Sequence, residues 1–268
     1  MKRAADAGAI LYPVKIIKPD PGSISEIFSG IQGEGTRVGE RHLFIRFGGC
    51  PFRCNYCDTP SSLVAPDTCL VEDPPASGKF RKHPNPVAPD KLVEIAGHFV
   101  GLGGLYRAIS LTGGEPLWQT DYLRAALPLL RTLGKTIYLE TAGAHPAELK
   151  SILDLVDVVA MDIKLPSTTG LKPMWAVHQE FLKTALSRQV IVKAVVIRKT
   201  PTHEIEMVRK IVGEVDRTIP VVIQPVTPAW KAKSPPTPSQ LLAWQALLAE
   251  RLENVKVIPQ CHRMMGGA

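Results

Sequence analysis

Cys50, Cys54 and Cys57 stand three and then two residues apart in the run CPFRCNYC. That spacing sets three thiolates on one short loop, close enough to grip a single compact inorganic centre. A four-iron, four-sulfur cubane on three thiolates keeps one iron open for a chelating ligand. A structural zinc ion instead wants four closed ligands, and Cys69 could supply the fourth. Five cysteines, an odd count with three packed into eight residues, do not form a secreted disulfide framework. On the thiols alone, iron-sulfur and zinc centres both stay open.

Other groups with chemistry follow apolar, β-type runs. Gly113-Gly114-Glu115-Pro116 comes directly after a run ending at Thr112; paired glycines let backbone approach a ligand, and a carboxylate can pair with an ammonium. Glu140-Thr141-Ala142-Gly143 closes the next run, Asp162 and Lys164 the one after, and Gln224-Pro225 a later one. Residues of these types also serve as ordinary caps and ion pairs at strand-to-helix turns, so each has a structural use beside the chemical one.

The elements that must position them read as a βα repeat. The runs 108–112, 136–141, 156–164, 190–197, 219–225 and 255–260 are rich in Val and Ile almost without alternation, the mark of strands buried on both faces and hence parallel. Helical patterns lie between them at Asp121 to Leu133, Ala147 to Leu153, Met174 to Ser187, His203 to Val215 and Ser239 to Leu252, with Ser239 placed as N-cap. Upstream, 42–47 reads as a strand entering the cysteine loop and Asp90 to Val100 as a helix beginning after Pro89. About six βα units predict an incomplete (β/α) barrel, with a doubly wound sheet as the other architecture, and residues 1–268 as one domain. Prolines 60, 66, 74, 75, 84, 86 and 89 predict an extended surface insertion over 60–89 rather than a regular element. A second proline-rich piece, Thr227 to Pro238, falls at a strand's carboxyl end, the active-site face of a barrel.

Hydrophobic residues make up 45% and charged residues 21%, an ordinary globular balance. The formal charge is +7, but the basic residues are scattered apart from Lys79, Arg81 and Lys82 beside His83, which argues against nucleic acid as a partner. No apolar run has the length of a membrane span, and the first 18 residues lack a signal-peptide core, so a cytoplasmic protein is expected.

The CxxxCxxC spacing, with Tyr56 before the last cysteine, resembles the signature of the radical S-adenosylmethionine (SAM) superfamily, and Gly113-Gly114-Glu115 resembles its GGE motif, which contacts the methionine amino group of SAM. The resemblance implies a 4Fe-4S cluster on Cys50, Cys54 and Cys57 whose open iron chelates SAM, and a 5′-deoxyadenosyl radical released by reduction. It further implies SAM contacts from Tyr56, Asp58, Gly113, Gly114, Glu115, Glu140, Thr141, Asp162, Lys164 and Gln224.

A narrower likeness lies in IFSGIQGEGTRVGERHLFIRFGGCPFRCNYCDTP, Ile27 to Pro60, which is similar to the amino-terminal signature of the 7-carboxy-7-deazaguanine synthase family. The tail Pro259-Gln260-Cys261-His262-Arg263 resembles that family's PQxHK ending. This implies conversion of 6-carboxy-5,6,7,8-tetrahydropterin to 7-carboxy-7-deazaguanine with loss of ammonia, SAM being regenerated and Mg2+ assisting. Carried over residue by residue, the substrate contacts are Ile31, Gln32, Gly33, Glu34, Arg46, Thr112, His262 and the terminal Ala268, with Thr59 as the magnesium ligand. Glu34 can accept two hydrogen bonds from an aminopyrimidinone edge, Arg46 can pair with the substrate carboxylate, and a hydroxyl suits a hard cation that keeps its waters. The family also implies a homodimer and a flavodoxin- or ferredoxin-type electron donor. Two departures stand out: Cys261 replaces a common Thr and is read as packed, and Met264 to Ala268 is less rigid than proline-ended tails. A glycyl-radical-enzyme activase shares the cysteine motif, and a four-cysteine zinc interaction module is the reading outside enzymes.

Overall fold

The computed structural model describes residues 16–101, 103–228 and 234–266. Its strands are β1 Ile24–Ile31, β2 Arg41–Phe47, β3 Thr68–Glu72, β4 Phe80–Pro84, β5 Tyr106–Gly113, β6 Thr136–Thr141, β7 Val158–Asp162, β8 Gln189–Val196, β9 Val221–Pro225 and β10 Val255–Val257. Its helices are α1 Pro89–Val100, α2 Thr120–Arg131, α3 Pro146–Ile152, α4 Pro166–Thr169, α5 Trp175–Ala185, α6 Thr202–Val215, α7 Pro238–Ala249 and α8 Cys261–Met264.

All ten strands join one sheet in the order β10-β9-β8-β7-β6-β5-β2-β1-β3-β4. From β2 to β10 every neighbouring pair is parallel. From β2 to β10 the strand order runs one way, so this parallel part of the sheet has no switch point of the doubly wound kind; only β3 and β4 lie on the other side of β1. Successive crossover helices pack on one another, α1 on α2, then α3, α5, α6 and α7, as right-handed crossovers on one face of the sheet require. The two edge strands, β10 and β4, do not pair, and the result is an incomplete (β/α) barrel. No helix among the described residues is long and apolar enough to cross a membrane.

Apolar residues on the helix-facing side of the strands, such as Ile45, Ile109, Leu111, Leu139, Val159 and Val192, form the main core with the helices. Burial there is complete or nearly so, which is why these strands read as continuous apolar runs.

Two expectations need correction. Residues 60–89 are not structureless: β3 and β4 form an antiparallel hairpin, and β3 adds in parallel to β1. The prolines sit outside β3 and at the end of β4, the outer edge strand, where a missing N–H is tolerated. The N-cap of α7 is Thr237, not Ser239, because Pro238 takes the first helical position; Thr237 and Gln240 close a reciprocal capping box.

Candidate active site

Side chains alternate along a strand, so every second residue faces the barrel interior. Toward the strands' amino ends that face is apolar: Ala108, Tyr138, Val158, Ile191 and Val222 pack together as a floor. Two or four residues further along the same strands come Thr112, Glu140, Asp162, Lys193 and Gln224. One periodicity therefore builds a dry floor and a polar rim. They bound a cavity of about 570 Å³, closed on the other sides by the cysteine loop, the turn at Gln32-Gly33-Glu34, the carboxyl-terminal tail and the β3–β4 hairpin.

Cys50, Cys54 and Cys57 all line this cavity as free thiols. Arg53 Nη1 donates to the carbonyls of Cys50 at 2.6 Å and Phe52 at 2.8 Å, holding the loop's first turn. Asn55 N–H donates to Thr169 O at 2.9 Å and ties the loop to α4. Gly113, at φ +111°, and Gly114 let β5 meet this loop: a Cβ at Gly114 would lie 2.0 Å from Gly49 O. The backbone N–H groups of Gly114 and Glu115 donate to Phe47 O and Gly49 O at 2.9 and 3.0 Å.

Burial pushes the Cys50 thiol up to about 12 and raises Cys54 and Cys57 as well. Without a metal these thiols are neutral, and coordination is what would ionise them. Cys69, the fourth thiol of a closed zinc site, is fully buried in the main core and does not line the cavity. The donor set therefore fits a three-thiolate cluster with an open position.

A chain of alternating charge crosses the cavity. Lys164 Nζ donates to Asp162 Oδ2 at 2.9 Å and to Tyr56 Oη at 2.8 Å, while the Tyr56 hydroxyl donates to the same Asp162 oxygen at 3.0 Å. Lys193 Nζ stands 3.8 Å from Asp162 Oδ2 and contacts Glu34 Oε2 directly. Gln224 and Gln260 amides donate to Glu34 Oε1 at 3.1 and 2.7 Å. Burial alone would raise the Glu34 carboxyl, but the Lys193 ammonium, joined by the Gln260 amide and His262, outweighs it and holds the group at about 2. Asp162 is likewise raised by burial and, more strongly, lowered by Lys164 and Lys193. Two buried acceptors in this wall, Asp162 Oδ1 and Gln224 Oε1, have no hydrogen-bond partner among the described residues, an opening for a polar ligand.

Beside it, Glu140 accepts from Gln32 Nε2 and Thr112 Oγ1, each at 2.8 Å. Burial, and then the nearby Glu34 charge, raise its carboxyl against the pull of Lys193 and these donors. The tail is pinned by the Cys261 N–H to Gly33 O bond of 2.9 Å, and a Cβ at Gly33 would sit 2.3 Å from His262 Nδ1, so glycine admits the tail. Glu34, Asp58 and His262 bring one ligand atom each within 4.8 Å of one another. Arg46 pairs with Glu26 at 3.1 Å and donates to Thr59 Oγ1 at 3.2 Å, and Thr59 donates to Asp58 Oδ1 at 3.0 Å.

The residues expected at SAM, substrate and magnesium, from Ile31 and Gln32 through Tyr56 to His262, line the one cavity, with two exceptions. Glu115 is 1% exposed and does not line the cavity; its carboxylate accepts from Leu117 N, Thr141 Oγ1 and Ala142 N and braces the β5 and β6 ends. Ala268 lies outside the described residues. Cys261 is half-buried, with its thiol against Pro259 O. The sequence reading missed Lys193, although a lone lysine in the apolar run VIVKAVVI is a signal, since a buried ammonium demands a partner. It also missed the hairpin's share of the wall, through Glu72, Ala76, Gly78 and Phe80.

The family model of the radical SAM superfamily matches residues 44–212. The 7-carboxy-7-deazaguanine synthase of Geobacter sulfurreducens is 41% identical over 248 residues, covering 92% of this chain and 98% of its own. That of Methanothermobacter thermautotrophicus is 33% identical over 265 residues, covering 91% and 96%. In fold, the chain resembles the crystal structure of QueE from Escherichia coli, with a TM-score of 0.54 at 20% identity over 89% of this chain and 93% of that one. Aligned at this level over nearly the whole of both sequences, the chain belongs to the 7-carboxy-7-deazaguanine synthase family of the radical SAM superfamily.

Proposed function

We propose that this protein converts 6-carboxy-5,6,7,8-tetrahydropterin to 7-carboxy-7-deazaguanine with loss of ammonia, in 7-deazapurine biosynthesis of the queuosine type. The observation that carries the reading is Glu34, an ionised carboxylate in the same cavity as three cluster-type thiols. A carboxylate can accept two parallel hydrogen bonds from an aminopyrimidinone edge, which an amide cannot. A protein-modifying activase needs no such group.

Cys50, Cys54 and Cys57 would hold the 4Fe-4S cluster, which with SAM supplies a 5′-deoxyadenosyl radical. Backbone at Gly113 and Gly114 is free to approach the methionine end of SAM. Glu140, Thr141, Asp162, Lys164 and Gln224 surround the rest with Tyr56 and Asp58, and the unpartnered oxygens of Asp162 and Gln224 suit hydroxyl and amino donors. Arg46 pairs with the substrate carboxylate and gives up Thr59, whose hydroxyl then serves Mg2+, a hard cation suited to oxygen ligands. Thr112 and His262 complete the substrate's polar contacts, and Ile31, Gln32 and Gly33 flank it. Burial holds the His262 imidazole below its ordinary value, so it meets substrate neutral at pH 7. The reading includes residues 1–268 as one domain, a cytoplasmic homodimer and a flavodoxin- or ferredoxin-type electron donor.

The test is anaerobic turnover of reconstituted protein with SAM, reductant, Mg2+ and 6-carboxytetrahydropterin, following the deazaguanine product by mass. Product is expected from the wild type. Cys54→Ala is expected to yield neither product nor 5′-deoxyadenosine. Cleavage of SAM by the wild type without product would remove the substrate assignment and keep the cluster chemistry.

A further inference from the structure

Lys193 lies in the middle of an apolar strand, yet its ammonium reaches the centre of the cavity between Glu34 and Asp162. A carboxylate has about four lone-pair sites, and those of Glu34 are unevenly used. Oε2 meets Lys193 alone, whereas Oε1 takes the amides of both Gln224 and Gln260. The Gln224 contact is the longer, 3.1 against 2.7 Å, and that side chain's own oxygen is buried without a donor among the described residues. A ligand with two adjacent N–H groups can therefore displace the Gln224 amide and seat across Glu34 while Lys193 keeps its place. An ammonium carries three donors, so Lys193 has hydrogens to spare beside the ligand's second N–H.

We infer that Lys193 is a substrate-contacting, specificity-determining residue. With Glu34 it reads the donor–donor–acceptor edge of a 2-amino-4-oxopyrimidine ring: Glu34 accepts from the 2-amino group and N3–H, and Lys193 donates to the 4-oxo oxygen. The inference rests on the pterin reading of this site. It makes the ion pair the recognition element, because a ring lacking an acceptor at position 4 leaves a buried donor unmatched.

The experiment compares binding of 6-carboxypterin with its 4-thioxo counterpart, which keeps both N–H donors and changes only the acceptor to weakly accepting sulfur. Calorimetry is done on the reconstituted, SAM-loaded enzyme under anaerobic conditions. Wild type is expected to favour the oxo ligand by about 10- to 30-fold, Lys193→Arg to keep most of that preference, and Lys193→Met to bring the ratio within about threefold. A lysine that merely neutralises Glu34 would weaken both ligands together, so an unchanged ratio in Lys193→Met overturns the assignment. A wild-type ratio already within about threefold overturns it too, whether or not that variant folds. Wild type that cleaves SAM but binds neither ligand removes the pterin reading itself, and Lys193's role with it.

Discussion

At the carboxyl ends of β7 and β8, facing the Glu34 turn, the cavity wall alternates in sign: Lys164, Asp162, Lys193, Glu34. At the ends of β5 and β6 the carboxylates of Glu115 and Glu140 meet only hydroxyls, an amide side chain and backbone N–H groups. Glu140, Asp162 and Lys193 all stand at interior-facing positions of the same βα repeat, so the fold does not dictate the difference. The partners do. Beside Glu34 and Asp162 the ammonium groups outweigh burial and hold the carboxylates ionised, whereas at Glu140 burial and the neighbouring Glu34 charge outweigh the donors and raise the carboxyl. The first half is a preformed electrostatic frame, and the second holds a carboxyl that can take a proton.

The largest expected effect comes from cutting the frame at its middle. Asp162 is 7% exposed and answers Lys164 at 2.9 Å and Lys193 at 3.8 Å. Asp162→Asn leaves Lys164, itself 13% exposed, without a counter-charge, and breaking a buried pair from one side costs about 3–5 kcal/mol. Denaturant unfolding should show a loss of that size, and SAM binding should fall with it. A loss under about 1 kcal/mol would mean the frame is solvated and the contrast between the halves is only geometric.

Glu34→Gln tests the frame's far end. Its folded value of about 2 lies below the ordinary 4.5, so its contribution is present above about pH 4.5 and lost as pH falls toward 2. The shift corresponds to about 3 kcal/mol at neutral pH. The amide variant should be less stable by about that much at pH 7, and the gap should narrow steadily below pH 4.5. The same variant should weaken 6-carboxypterin by about 30- to 1000-fold while cluster uptake is spared. A gap that does not change with pH would mean that Lys193, Gln260 and His262 together do not hold Glu34 ionised.

The contrast marks what was legible in the sequence. The strands β5 to β9 announced themselves because burial on both faces leaves Val and Ile almost uninterrupted. The strand β1, ISEIFSGI, did not: Ser25, Glu26 and Ser29 interrupt its apolar residues. Nor did β3 and β4, whose flanking prolines suggested a loop although Cys69 and Val71 are core residues. Cys50, Cys54 and Cys57 could be placed from spacing because ligands of one centre must lie on one loop. Glu115 could be found but not aimed, since its direction depends on Thr141 and Ala142, 26 and 27 residues away. Lys193 lies 159 residues from Glu34, and only the closing of the sheet brings them together.

The smallest effect should have the opposite sign, which makes it the sharpest check. Glu140 titrates above its ordinary value, so its favourable contribution exists below about pH 4.5 and is lost as pH rises through the folded value. At pH 7 an ionised Glu140 is a cost. Glu140→Gln removes that cost and keeps the geometry: its oxygen can accept from Gln32, and its amide can donate to Thr112 once that hydroxyl turns, since both now meet Glu140 at 2.8 Å. The variant should unfold at an unchanged or higher temperature at pH 7, by up to about 3 °C, and lose that advantage below pH 4.5. Glu34→Gln, measured alongside, should be lower at pH 7. If both amides lower the melting temperature by similar amounts, the two halves of the wall handle charge alike, and the partners around Glu140 are doing what Lys193 does for Glu34.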